Sequence, residues 1–176
     1  MNRSELARKI NGLSHITGEF RLRSGQMSNE YFDKYLFEGQ PKVLHAIAEQ
    51  MALLIPEGVE ALAGLEMGGI PVVTMLSQVS GIPALFVRKK AKEYGTCKLV
   101  EGGNIAGRKL LMIEDVVTSG GQILLSAADL RKREAVVEDV LCVIDRESGG
   151  SEMLAKEGLR LHSLFRMSEL KNTGKG

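Results

Sequence analysis

The stretch Leu110-Leu111-Met112-Ile113-Glu114-Asp115-Val116-Val117-Thr118-Ser119-Gly120-Gly121 limits the possible folds of this chain more than any other segment, because it passes directly from apolar to acidic to glycine-rich. Its opening apolar run, bounded by charge, reads as a short strand covered on both faces, the usual state of a central strand in a parallel sheet. Glu114 and Asp115 then fall at the strand's carboxyl end, the edge at which open α/β sheets take ligands. Ile123, Leu124, Ala127 and Leu130 follow at helical spacing, so the glycine-rich turn opens a helix.

The chemistry of the segment is as specific as its periodicity. The first N–H groups of a helix have no intrahelical partner and lie at the positive end of its dipole, so a turn of this kind holds a phosphate. Gly120 and Gly121 let the backbone approach closely, and Thr118 and Ser119 add hydroxyl donors. Carboxylates repel that phosphate but accept hydrogen bonds from vicinal hydroxyls. A ribose 5-phosphate meets both demands. Successive strand residues point to opposite sides, so both carboxylates reach one ribose only if the chain bends there.

Strands and helices alternate along the rest of the chain. A helix is expected over Ser4 to Ile10, with Ser4 as cap, followed by irregular or short-stranded structure from Phe20 to Phe37. Pro41 opens a helix whose stripe of Val43, Leu44, Ile47, Ala48, Met51 and Leu54 stops before Pro56. A strand over Val59 to Gly64, a turn at Glu66 to Gly69, a helix from Pro71 to Val79 and a strand from Pro83 to Val87 come next. From Tyr94 to Gly107 the chain is polar and glycine-rich without a period, and reads as a long mobile loop. After the acidic strand and its helix, a strand over Val137 to Ile144, a helix near Glu152 to Lys156 and a strand near Leu159 to Phe165 complete the pattern; Lys171 to Gly176 reads as a frayed tail. This alternation predicts a parallel sheet with helices on both faces.

Composition narrows the function classes. The 176 residues fit a single domain over 1–176, and a net charge of +1 gives no general attraction to nucleic acid or membranes. No apolar run has the length of a membrane span. Cys97 and Cys142 lack metal-ligand spacing, and with no signal peptide they point to reduced thiols in the cytoplasm, Cys142 being core. His15, His45 and His162 are scattered, so side chains alone provide no metal site; Mg²⁺ carried in on a diphosphate is the expected cofactor, since that ion takes most of its ligands from phosphates and water. Gly102 and Gly107 have P-loop spacing, but Arg108 and Lys109 stand where Lys and Ser/Thr belong and a strand follows. Arg88, Lys89, Lys90 and Lys92 concentrate cations beyond a strand end, where a diphosphate would need neutralising.

The acidic strand and Thr/Ser/Gly loop resemble the phosphoribosyl diphosphate (PRPP) signature of the type I phosphoribosyltransferases. The resemblance narrows to the orotate phosphoribosyltransferase family through four further segments: Gly18 to Gly25 with Tyr31-Phe32-Asp33, Gly64 to Pro71, the basic loop, and Ile144-Asp145-Arg146-Glu147. It implies a central, mostly parallel sheet flanked by helices, a small N-terminal hood over residues 1–40 that includes the base-binding segment, and a mobile catalytic loop. It also implies that Arg23, Arg88, Lys89, Lys92, Tyr94 and the run Glu114, Asp115, Val116, Val117, Thr118, Ser119, Gly120, Gly121 and Gln122 bind PRPP. Glu66, Met67, Gly68 and Gly69 would form a diphosphate loop, often with a non-proline cis peptide in this fold. Tyr31, Phe32, Thr118 and Arg146 would meet orotate.

Catalysis is expected from Lys89, Lys92 and Asp115, with Arg88 and Lys92 reaching into the neighbouring site of a homodimer with shared active sites. Two positions depart from many family members: Tyr94 replaces a loop histidine, losing a proton shuttle near neutral pH, and Arg23 replaces a lysine. The expected reaction joins the ribosyl group of PRPP to orotate, giving orotidine 5′-monophosphate. Transfer to a purine or uracil is the nearest alternative. A PRPP-sensing regulator is the other, but the short, charge-balanced N-terminal region leaves no room for a DNA-binding module.

Overall fold

The computed structural model describes residues 1–22, 25–90 and 98–173. Helix α1 (Arg3–Ser14) starts earlier than the sequence suggests, because Asn2 rather than Ser4 caps it: the Asn2 side chain accepts from the Glu5 N–H and the Glu5 side chain accepts from the Asn2 N–H. Strands β1 (His15–Arg21) and β2 (Met27–Phe32) then form an antiparallel hairpin apart from the main sheet. This is the hood. Helix α2 (Lys34–Glu38) follows at once, capped by the Asp33 carboxylate on the Tyr35 N–H.

Helix α3 (Pro41–Ala52) leads to β3 (Ala61–Leu65), α4 (Gly69–Ser80) and β4 (Ala84–Val87). A short β5 (Val100–Glu101) precedes β6 (Lys109–Val117), α5 (Gly121–Arg131), β7 (Val136–Asp145), α6 (Gly150–Lys156), β8 (Arg160–Arg166) and α7 (Met167–Asn172). Among the described residues the main sheet has the order β5-β4-β3-β6-β7-β8, parallel except for the antiparallel β4–β5 pair. Every residue of β3 is buried, as expected for a strand covered on both faces. One core layer packs α1, α3, α4 and α7 against the sheet; the other packs α5 and α6.

The order in which the chain adds strands reverses between β3 and β6, which run parallel. From β3 the chain crosses through α4 to β4 on one side, and from β6 through α5 to β7 on the other, which leaves a crevice beyond the carboxyl ends. The strand register sets its depth. β3 pairs with β6 only as far as Gly64 opposite Ile113, whereas β7 follows β6 to Val117 opposite Asp145. The acid pair therefore lies inside a strand that is bonded on one side and open on the other.

Two expectations need correction. The segment from Tyr94 to Gly107 is not loop throughout: within its described part Val100–Glu101 pairs with β4, and Leu99, Val100 and Ile105 are buried. Three apolar residues among glycines are too few to show a period, although they are enough to anchor the segment. Residues 91–97 lie outside the described residues. The tail does not fray from Lys171, because Lys171 and Asn172 belong to α7, fixed by buried Met167 and Leu170.

Candidate active site

The crevice between β3 and β6 holds a cavity of about 500 Å³. Its walls are the Glu66–Gly68 turn, Lys89, the run from Glu114 to Ile123, and Lys34 and Tyr35 from α2. The peptide between Glu66 and Met67 is cis, and the Glu66 carboxylate accepts from the Lys89 N–H at 2.6 Å, which joins the turn to the start of the basic segment. Opposite them α5 opens on Gly120, held at φ +78° with no side chain capping the helix. A left-handed residue at this point turns the chain sharply enough for the first N–H groups of α5 to face the cavity uncapped.

Glu114 and Asp115 both line the cavity, and their carboxyl groups are hydrogen-bonded to each other. Glu114 is half-buried; Asp115 is fully buried, its Oδ1 accepting the Val116 N–H at 2.5 Å and its Oδ2 lying 2.5 Å from Lys34 Nζ. Glu38 packs into the same cluster, and neither of its carboxyl oxygens has a hydrogen-bond partner among the described residues. Burial first, then the neighbouring Asp115 carboxylate, pushes Glu38 up to about 9; the same two causes in the same order raise Glu114 well above its ordinary value. Burial also works against charge on Asp115, but hydrogen bonding from Glu114 and Lys34 outweighs it and holds Asp115 below the usual carboxylate range. The negative charge of the cluster is thus drawn onto Asp115, opposite Lys34.

A second pocket, of about 220 Å³, lies beneath the hood and brings Tyr31 and Phe32 of β2 together with Arg146, His15, Glu30 and Lys171. Arg146 stands one step past β7, its N–H bonded to the Val117 carbonyl at 2.9 Å, so this pocket adjoins the end of β6. Tyr31 is 45% exposed and tilts against Phe20, while Phe32 tilts against Phe37. Glu30 bridges the hood to α7, with one carboxylate oxygen 2.7 Å from His15 Nε2 and the other 3.0 Å from Lys171 Nζ.

Comparison with known proteins places this geometry. The chain is 50% identical over 165 residues to an orotate phosphoribosyltransferase of Nocardioides sp., covering 94% of this chain and 92% of the relative. This chain belongs to the orotate phosphoribosyltransferase family. Its fold is that of the type I phosphoribosyltransferases. A Mycobacterium tuberculosis orotate phosphoribosyltransferase in complex with Fe(III) dicitrate superposes with a TM-score of 0.87 at 31% identity, covering 96% of this chain and 98% of that one. Another structure of that enzyme, in complex with PRPP, superposes at 0.83 with 28% identity over 96% and 98% of the two chains. No protein-family model matches the chain.

Against the expectations that family membership raised, the structure gathers Lys89, Glu66, Met67, Gly68 and all of Glu114 to Gln122 in one cavity, and Tyr31, Phe32 and Arg146 in the adjoining pocket. Thr118 lines the main cavity and not the hood pocket. Gly69 stands behind the wall as the first residue of α4, against the Ile113 carbonyl. Arg88 sits off the cavity, its Nε 3.5 Å from Glu101. Arg23, Lys92 and Tyr94 lie outside the described residues.

Lys34, Glu38, His15, Glu30 and Lys171 were not singled out as site residues. Nothing local marks them, since their partners come from distant parts of the chain. Among the described residues no group of three or more His, Cys, Asp or Glu side chains could hold a metal. The cavity carboxylates Glu66 and Glu114 nevertheless suit an ion that keeps its waters and takes phosphate oxygens as ligands. Cys142 is buried and its thiol is pushed up by that burial, as befits core.

Proposed function

We propose that this chain transfers the 5-phosphoribosyl group of PRPP to N1 of orotate, releasing diphosphate and forming orotidine 5′-monophosphate for pyrimidine (UMP) synthesis. The observation that carries this reading is the junction of two pockets at the end of β6: a polar cavity with an uncapped helix start and a carboxylate cluster, and beside it a smaller pocket bearing two aromatic rings and a guanidinium. The helix start and the Thr118 and Ser119 hydroxyls seat the 5-phosphate. Glu114 and Asp115 accept from the ribose hydroxyls. Arg146 offers a planar, bidentate partner to the orotate carboxylate, with Tyr31 and Phe32 beside the ring.

The bond from C1 to the diphosphate oxygen breaks as the bond from N1 to C1 forms, through a cationic, oxocarbenium-like sugar. Lys89, backed by the Glu66–Gly68 turn, stands where negative charge builds on the leaving group; Lys92 joins it by family resemblance. Mg²⁺ bound to PRPP would add a further positive charge at the diphosphate, with Glu66 and Glu114 holding its water shell. The proton on N1 of orotate leaves as the C1–N1 bond forms and passes to the departing diphosphate or to water, so the step balances without a dedicated protein base. Arg88, turned away from its own cavity, together with Lys92, serves the neighbouring site of a homodimer. The enzyme works in the cytoplasm. No described helix is long and apolar enough to cross a membrane.

The test is direct. Purified protein with Mg²⁺ and PRPP is given orotate, uracil and purine bases in parallel, and nucleotide is followed chromatographically. Orotidine 5′-monophosphate should form, and omitting Mg²⁺ should abolish it. Turnover of a purine or uracil with none of orotate would replace the assignment.

A further inference from the structure

We propose that Lys34 is a positioning residue for the ribosyl donor: its ammonium fixes Asp115 as an ionised, immobile acceptor and ties it to the turn that faces the diphosphate. This deepens the donor-site reading above and rests on it.

Asp115 is gripped from three directions. Its Oδ1 takes the Val116 N–H, its Oδ2 meets Lys34 Nζ, and the carboxylate lies so close to Gly68 that a Cβ there would fall 1.6 Å from Oδ2. The ion pair is well shielded, with Asp115 exposing 1% of its side chain and Lys34 31%. Lys34 is itself held in place. It is the first residue of α2, which the Asp33 carboxylate caps, and its ammonium lies 5.2 Å from the Tyr35 ring centroid.

Charge counting shows why the lysine matters. Among the described residues, the ionisable groups that interact with this cluster are Asp33, Lys34, Tyr35 and Glu38 on or beside α2, Glu114 on β6 and Cys142 on β7. All but Lys34 are acids. Ribose hydroxyls are neutral donors and bring no charge, so donor binding cannot replace the ammonium as the counter-ion of a buried carboxylate. Lys34 must stay on Asp115 while the sugar binds. Without it Asp115 Oδ2 would lose the partner that holds it in place, and the carboxylate its fixed geometry at the hydroxyls. Lys34 also follows directly on Tyr31, Phe32 and Asp33, so one short segment supplies the acceptor pocket and supports the donor site.

The experiment measures Mg·PRPP binding by calorimetry without any base, for wild type, Lys34→Met and Lys34→Arg. Lys34→Met should weaken binding roughly 10- to 100-fold, the usual cost of losing a partner that orients a ligating group. Lys34→Arg, which keeps the charge opposite Asp115, should restore most of the donor affinity. In kinetics with orotate, kcat/KM for PRPP should fall with KM for orotate nearly unchanged. Wild-type donor binding in Lys34→Met would overturn the inference. So would equal losses in Lys34→Met and Lys34→Arg that track a drop in thermal stability, since a purely structural lysine behaves that way. Failure of the wild type itself to bind Mg·PRPP would overturn the donor-site reading and this inference with it.

Discussion

At the scale of single residues, Gly68 is the position where geometry and chemistry are most tightly coupled. An alanine Cβ there would meet Asp115 at Oδ2 (1.6 Å) and at Cγ (2.3 Å), so the carboxylate would have to leave Lys34. Gly68→Ala should therefore weaken PRPP binding roughly 10-fold or more and destabilise the fold by about 1–3 kcal/mol through the broken pair. The decisive measurement is a double-mutant cycle. If the glycine acts through Asp115, Gly68→Ala should cost far less donor affinity when Asp115→Asn is already present; additive losses would show that it acts elsewhere. This contact also marks a limit of sequence reading. The order of acids, hydroxyls and glycines after Ile113 is local, so its chemistry is legible in one line of text. Lys34 meets Asp115 only because β2 and α2 fold back across the sheet, and no spacing rule connects residues so far apart.

At the scale of elements, what was legible followed from periodicity and from breaks in it. The strands of the parallel sheet and helices α3, α4 and α5 carry strong apolar patterns, and the structure has them within a few residues of their expected places. The exceptions have physical reasons. β5 is an edge strand anchored by one or two buried side chains, and α7 is too short for its stripe of Met167 and Leu170 to stand out. The acid pair looked like a strand end because the apolar run stops at Ile113, yet β6 continues to Val117 through its pairing with β7 alone. The start of α5 offers a test at this scale. Gly120 has φ +78°, and a Cβ there would lie 3.2 Å from Leu154 Cγ on α6. Gly120→Ala should cost about 1–3 kcal/mol, the left-handed penalty for an L-residue plus the crowding. If the uncapped N–H groups seat the 5-phosphate, affinity for inorganic phosphate should fall along with stability. Urea unfolding and phosphate calorimetry separate the two effects, and loss of stability with phosphate affinity intact would remove the helix start from the donor site.

At the scale of the whole molecule, the buried acids shape how stability depends on pH, and they act on opposite flanks. Burial opposes charge on Asp139, but its bidentate pair with Arg160, at 3.0 and 2.9 Å, and the His162 nitrogen at 2.8 Å outweigh it and lower its pKa. A depressed carboxylate stabilises the fold above its unfolded value of about 3.9, and that contribution is lost as pH falls through the folded value. Glu38 has the reverse sign. With its pKa pushed up to about 9 by burial and by Asp115, the native state keeps a proton that the unfolded chain releases near about 4.3. Stability therefore declines as pH rises from the unfolded value to the folded one, and Glu114 adds to the decline in the same sense. Glutamine mimics the protonated acid without the titration. Glu38→Gln should flatten the fall in midpoint temperature from about pH 5 to pH 8.5 while leaving the acid flank in place. Asp139→Asn should do the opposite, lowering the midpoint at neutral pH and flattening the acid flank, because it leaves Arg160 and His162 without their shared acceptor. Thermal unfolding of the three proteins from about pH 2.5 to pH 8.5 decides it: a Glu38→Gln curve parallel to wild type on the alkaline side would mean that Glu38 is ionised in the native state, and that the charge in the cluster is not confined to Asp115.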